Sequence, residues 1–176
     1  MITDMEFKKI YFDMDGVLAD FDRGIIELCG LEPYSQNEKW DPSFAERDDR
    51  MWAAIRDTGH FYDRLELLPG AEEMFRRVWA KYGKRCEILT GIPRASRGIV
   101  TAGDDKKAWT ARLLTDEVKV NLVLRKEKQN YCTGEDCVLI DDRVKTIEEW
   151  KEAGGTGILH KDAETTLKKL EAMGLL

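Results

Sequence analysis

The stretch Ile10-Tyr11-Phe12-Asp13-Met14-Asp15-Gly16-Val17 decides how this chain is read. Three apolar residues in a row run into an acidic turn that contains a glycine. Such a run marks a strand buried on both faces, since neither face then needs polar residues to meet water. The pattern returns along the chain. Cys86-Glu87-Ile88-Leu89-Thr90 stops at Gly91 and Pro93, and Val118 to Leu124 alternates at its start. Cys137-Val138-Leu139-Ile140 ends at Asp141-Asp142, and Gly157-Ile158-Leu159-His160 makes a short fifth run.

Helical patterns lie between these runs. Ala71, Met74, Phe75, Val78, Trp79 and Tyr82 follow the spacing of one helix face, after Pro69-Gly70 and before Gly83. Asp104 to Leu114 and Val144 to Ala153 form two more. Ala163, Leu167 and Leu170 share a face of a last helix that Asp162 can cap. Strand and helix in alternation predict an α/β protein with a parallel sheet and helices on both faces.

Between Gly16 and Leu68 the alternation fails. No strand is evident there; helical stretches (Val17 to Cys29 and Phe44 to Asp57) flank a loop around Pro33 and Pro42. This reads as a small helical cap, 17–68, inserted into a core made of 1–16 and 69–176. The cap carries Phe21, Trp40, Phe44, Trp52, Phe61 and Tyr62. Most of these rings are expected to pack the cap on itself and on the sheet, with one or two left to meet a flat apolar ligand.

Composition narrows the function classes. The 176 residues suit one domain with an insertion, and a chain of this size removes about 70% of its unfolded surface from water without disulfides or metal. With 43% hydrophobic and 35% charged residues it is neither disordered nor a membrane protein. Its net charge of −6 is a poor match to a nucleic-acid polymer, though a few local cations suffice for a small nucleotide. No segment approaches the ~20 apolar residues of a membrane span. The opening Met1-Ile2-Thr3-Asp4 lacks a basic start and apolar run, so a cytoplasmic location is expected. Cys29, Cys86, Cys132 and Cys137 are then expected to be reduced thiols; the Cys132/Cys137 spacing has no histidine pair to complete a zinc site.

In an open parallel sheet, ligands bind outside the carboxyl ends of the strands. Those ends carry Asp13 and Asp15, Thr90, the Lys126/Lys128 segment, and Asp141 with Asp142. Clustered carboxylates repel one another unless a cation neutralises them, and an all-oxygen set suits Mg²⁺. Asp13 can attack phosphorus to form an acyl phosphate. Asp15, swung by Gly16 toward the leaving group, can protonate the departing oxygen and later take a proton from water. Thr90 can donate to a phosphate oxygen, and a lysine can neutralise charge on the phosphoryl group.

Asp13-Met14-Asp15-Gly16-Val17-Leu18-Ala19-Asp20, Leu89-Thr90 and Leu139-Ile140-Asp141-Asp142-Arg143 together resemble the haloacid dehalogenase superfamily, and within it the 5'(3')-deoxyribonucleotidases. Phe21, the segment Leu65-Glu66-Leu67-Leu68-Pro69-Gly70-Ala71 and the cap length fit the same group. The resemblance implies a sheet of order 3-2-1-4-5 and Mg²⁺-dependent hydrolysis of (deoxy)nucleoside monophosphates through a phospho-aspartate on Asp13, with Asp15 as acid and base. The metal would be held by Asp13, the Asp15 backbone carbonyl and Asp142, with Asp141 direct or one step removed. Thr90, Gly91 and a lysine would hold phosphate; Lys128 fits that place, with Lys126 the alternative. Phe21 would face the base, with Phe61 and Tyr62 behind it. Two departures stand out: Gly91-Ile92 precede Pro93 after the threonine, and Val144 follows Arg143.

Other readings stay open at this stage. The ester could be a sugar phosphate or phosphoglycolate, or the chain could be a binding module that keeps the fold; a homodimer is also left open. Lys106 and Lys107 are expected at the exposed start of a helix, Arg94 and Arg97 in a solvated loop. His60 and His160 are expected at the surface or in packing, and Asp20 either near the cap hinge or as an acid at a helix start.

Overall fold

The computed structural model describes residues 7–33 and 38–176; the Met1–Asp4 start and part of the loop after Pro33 lie outside them. Five strands form one sheet: β1 (Lys9–Phe12), β2 (Cys86–Gly91), β3 (Val120–Val123), β4 (Cys137–Asp141) and β5 (Thr156–Leu159). Their order is β3-β2-β1-β4-β5 and every adjacent pair is parallel. The helices are α1 (Phe21–Cys29), α2 (Phe44–Thr58), α3 (Ala71–Tyr82), α4 (Ala102–Leu113), α5 (Val144–Glu152) and α6 (Ala163–Ala172).

Alternation along β1 explains the two layers. Ile10 and Phe12 enter a buried cluster with Met74, Phe75 and Val78 of α3, Trp109 of α4 and Leu170 of α6. Tyr11 points the other way, to Leu89, Leu139, and Ile147 and Trp150 of α5. Helices therefore cover both faces, which is why the strands are apolar throughout. Asp162 caps α6 as its sequence position suggests, accepting from the Thr165 N–H at 2.7 Å.

The helix expected from Val17 starts four residues later, at Phe21. Residues 14–19 are used instead in a tight turn, in which Leu18 and Ala19 both donate backbone N–H bonds to the Met14 carbonyl at 2.8 and 2.9 Å. The chain then leaves the sheet beside its own return: Asp20 N–H donates to Glu66 O and Leu68 N–H to Leu18 O, each at 2.8 Å. This short stem carries α1 and α2. Asp20 also caps α1, accepting from the Arg23 N–H at 3.2 Å, which settles its place as a helix-start acid at the base of the insertion. Gly24 lets α1 lie close on the return segment, where a Cβ would sit 2.4 Å from Leu65.

Candidate active site

The parallel register sets the first contacts. Phe12 is level with Ile88 and Ile140, and the Asp13 N–H extends the pairing to the Ile140 carbonyl at 2.9 Å. Asp13 thus leaves β1 where Asp141 and Asp142 leave β4. Carboxylate oxygens of Asp13, Asp141 and Asp142 all lie within 4.8 Å of one another, and among the described residues they form the one group of three or more potential metal-ligating side chains. Gly16 makes room for them. Its φ is +82°, and a Cβ there would lie 2.2 Å from Asp142 Oδ2, so both backbone and space require glycine.

Lys128 reaches this cluster from a 3-10 segment, Arg125–Tyr131, that follows β3. Its ammonium donates to Asp13 Oδ1 at 2.8 Å and Asp141 Oδ2 at 2.7 Å, and all three groups are buried. Lys126 is exposed, so of the two lysines weighed from sequence only Lys128 faces the acids. Burial opposes the charge on Lys128, but Asp13 and Asp141 outweigh it and hold its pKa up. The acids pay the converse penalty. Burial, with Asp13 adding repulsion, pushes Asp141 to about 6 despite Lys128. Burial and the charges of Asp13 and Asp141 push Asp142 to about 8. One ammonium is too little to let three close carboxyl groups all ionise easily, and an all-oxygen set of this kind fits a divalent cation such as Mg²⁺.

Asp15 and Thr90 meet a different lysine. Lys106, expected at an exposed helix start, is fully buried, with its ammonium on Asp15 Oδ2 (2.8 Å), Thr90 Oγ1 (2.9 Å) and Gly91 O (2.8 Å). The expectation fails because α4 turns its Ala102, Asp105, Lys106, Trp109 and Thr110 face inward. That spacing was itself the signal: Asp105 and Lys106 share the i, i+3, i+4 stripe of Trp109. Asp15 Oδ1 is buried with no hydrogen-bond partner among the described residues. Burial raises the Asp15 pKa, and Lys106 only partly offsets this.

The aromatic residues are placed unevenly. Phe21, Phe61 and Tyr62 form a three-ring cluster with centroids 5.4 to 6.2 Å apart. Phe61 and Tyr62 are core residues, only 4% and 2% exposed, and only Phe21 is half-buried. Phe61 therefore packs in the core against Phe21, the ring expected to face the base. Tyr62 carries the Lys106 ammonium over its ring at 4.6 Å, and burial followed by the charge of Asp15 raises its hydroxyl pKa, so it stays protonated.

The remaining sequence candidates lie outside this crevice. Arg94 is exposed, whereas Arg97 is not merely solvated: it pairs with Asp49 of α2 at 2.6 Å and lies over Trp52 at 5.9 Å. His60 bonds Asp105 at 2.7 Å and His160 bonds Thr166 at 2.7 Å. The four cysteines are free thiols. Among the described residues no helix is long and apolar enough to cross a membrane.

The family described as 5' nucleotidase, deoxy (pyrimidine), cytosolic type C protein matches residues 8–168. The chain belongs to this family. As a member of the 5' nucleotidase family it is a phosphatase of haloacid dehalogenase type, a hydrolase of phosphoric esters. Solved structures align with the chain at low identity. A hydrolase from Streptococcus pneumoniae TIGR4 aligns with a TM-score of 0.52 and 13% identity, over 94% of this chain and 99% of that one. A haloacid dehalogenase family hydrolase from Deinococcus radiodurans R1, solved with bound phosphate and sodium, gives 0.49 and 20%, over 95% and 89%. The first of these likenesses is one of fold. No curated protein matches the chain.

Proposed function

We propose that this phosphatase is a Mg²⁺-dependent phosphomonoesterase of deoxynucleoside monophosphates that works through a phospho-aspartate on Asp13. The observation that carries the reading is the pinning of Asp13 by Lys128 beside Asp141 and Asp142, while Asp15 faces it on a separate lysine. Asp13, Asp141, Asp142 and the Asp15 backbone carbonyl would hold Mg²⁺, which supplies Lewis-acid stabilisation of charge on the phosphoryl oxygens when bound.

The chain's own groups supply the rest. A carboxylate oxygen of Asp13 bonds to phosphorus as the ester P–O bond breaks and its electron pair goes to the leaving oxygen. Asp15, whose pKa is raised by burial, gives that oxygen its proton. In the second half Asp15 takes a proton from water, whose oxygen displaces phosphate from Asp13. Lys128 faces the charge that builds on the transferred group, and the Thr90 hydroxyl and Gly91 backbone line its far side.

The substrate class rests on the family's description and on Phe21, the half-buried ring of the insertion, which would meet the base. Residues 17–68 act in this reading as the cap and the remainder as the core, and the enzyme works in the cytoplasm. The burial of Phe61 and Tyr62 favours a second reading, a smaller ester such as a sugar phosphate, because it leaves less aromatic surface for a base. Phosphate release from all common ribo- and deoxyribomononucleotides and from sugar phosphates, with Mg²⁺ or with chelator, tests both. Deoxynucleotides turned over in a chelator-sensitive way are expected. Turnover confined to sugar phosphates overturns the substrate, and full activity in chelator overturns the metal.

A further inference from the structure

We propose that Lys106 is a positioning residue: it holds the Asp15 carboxyl in place for proton transfer and turns the Thr90 hydroxyl toward the phosphate. The proposal rests on the phosphatase chemistry given above and deepens it. A lysine ammonium has three N–H donors and no acceptor. Here Asp15 Oδ2, Thr90 Oγ1 and Gly91 O occupy all three, at 2.8, 2.9 and 2.8 Å. The Tyr62 ring lies 4.6 Å from the nitrogen, and the side chain has no exposed surface. Lys106 therefore has no N–H left for a phosphoryl oxygen. Lys128 differs: it uses two donors on Asp13 and Asp141, and the third has no partner among the described residues.

Two consequences follow for the neighbours. Thr90 Oγ1 accepts from Lys106, so its single O–H is free to donate to another acceptor, which in the crevice is a phosphate oxygen. Asp15 Oδ2 also accepts from Lys106, which fixes the carboxyl group beside Thr90 while the side chain stays 26% exposed. In the first half-reaction the Asp15 carboxyl proton goes to the leaving oxygen as the P–O bond breaks. Lys106 touches neither the ester nor the phosphorus; it acts through β1 and β2 together, from a helix that begins eleven residues after β2 ends.

Leaving-group chemistry separates this role from plain charge neutralisation. An alcohol leaving from a deoxynucleoside 5'-monophosphate needs a proton, whereas 4-nitrophenolate does not. Single-turnover release of nucleoside and of nitrophenol would be measured for wild type, Lys106→Met and Lys128→Met. Lys106→Met is expected to slow nucleoside release about 100-fold and nitrophenol release about tenfold or less. Lys128→Met is expected to slow both alike. Equal slowing of the two esters by Lys106→Met, or no slowing, overturns the proposal. Should that variant fail to fold, a wild-type crystal structure with bound fluoroaluminate decides: Lys106 stays on Asp15, Thr90 and Gly91, and its move onto a fluoride overturns the proposal. Wild-type protein that releases neither product overturns the phosphatase chemistry itself, a failure that the variant comparison cannot produce.

Discussion

The crevice has two halves, each built on a buried lysine, and they differ in charge. On the β4 side Lys128 faces Asp13 and Asp141, with Asp142 alongside, so negative charge is in excess. On the β2 side Lys106 faces one carboxylate and two neutral oxygens, so charge balances. An excess of buried anion calls for a cation, while a balanced pair can hold an acid without one. In the proposed mechanism the contrast would put metal and nucleophile on one side and proton transfer on the other, from the same two residue types.

The strongest way to break the contrast is to remove the ammonium from the crowded half. Lys128→Met is expected to lower turnover by at least roughly 1,000-fold. It should also destabilise the fold by about 3–5 kcal/mol, since buried carboxylates lose their partner. Steady-state kinetics and urea unfolding check the two effects, and Mg²⁺ should restore more stability to this variant than it adds to wild type. On the balanced side, Asp15→Asn should cost about 100- to 10,000-fold in turnover. It should also let phosphorylated Asp13 accumulate, seen as added phosphoryl mass on the intact protein; normal turnover would remove Asp15 from its role.

Smaller effects sharpen the same comparison. Mg²⁺ at about 100 times its Kd should stabilise the wild type by about 2.7 kcal/mol. Asp142→Asn should weaken that gain, read by calorimetry with and without chelator, whereas Lys106→Met should leave most of it. The least effect is expected at His60, whose pKa the hydrogen bond and then the charge of Asp105 raise above the ordinary 6.5. A raised histidine adds stability that is complete below 6.5 and fades as pH rises through its folded-state value. Thermal melts of wild type and His60→Gln should therefore differ in mildly acidic buffer and converge in alkaline buffer.

The acidic residues of the crowded half were legible in the sequence because each ends an apolar run. A strand that stops at Asp13 or at Asp141-Asp142 can only place those acids at the carboxyl edge of a parallel sheet. Lys128 was legible more loosely, as one of two lysines after a strand. Lys106 was legible only through its place on the stripe of Trp109, since a Lys-Lys pair near a helix start ordinarily faces water. Its burial is decided by how α4 lies against the insertion, where the Trp109 indole donates to Leu65 O at 2.7 Å. Aromatic density in an insertion reports only that something is covered, and here Phe61 and Tyr62 cover the chain's own core. The helix start at Phe21 moved because the residues before it are spent on the turn that brings Gly16 beside Asp142.

That shared core has a practical outcome for anyone exchanging parts between relatives. Ile25, Met51, Ile55, Phe61, Tyr62 and Leu65 of the insertion belong to the same buried cluster as Ile10 and Phe12 of the sheet. Excising the insertion would strip one layer of its hydrophobic lining rather than liberate a minimal catalyst. A graft meant to redirect substrate choice should leave Phe61 to Leu68 and Trp109 in place and vary only what lies farther out along α1 and α2.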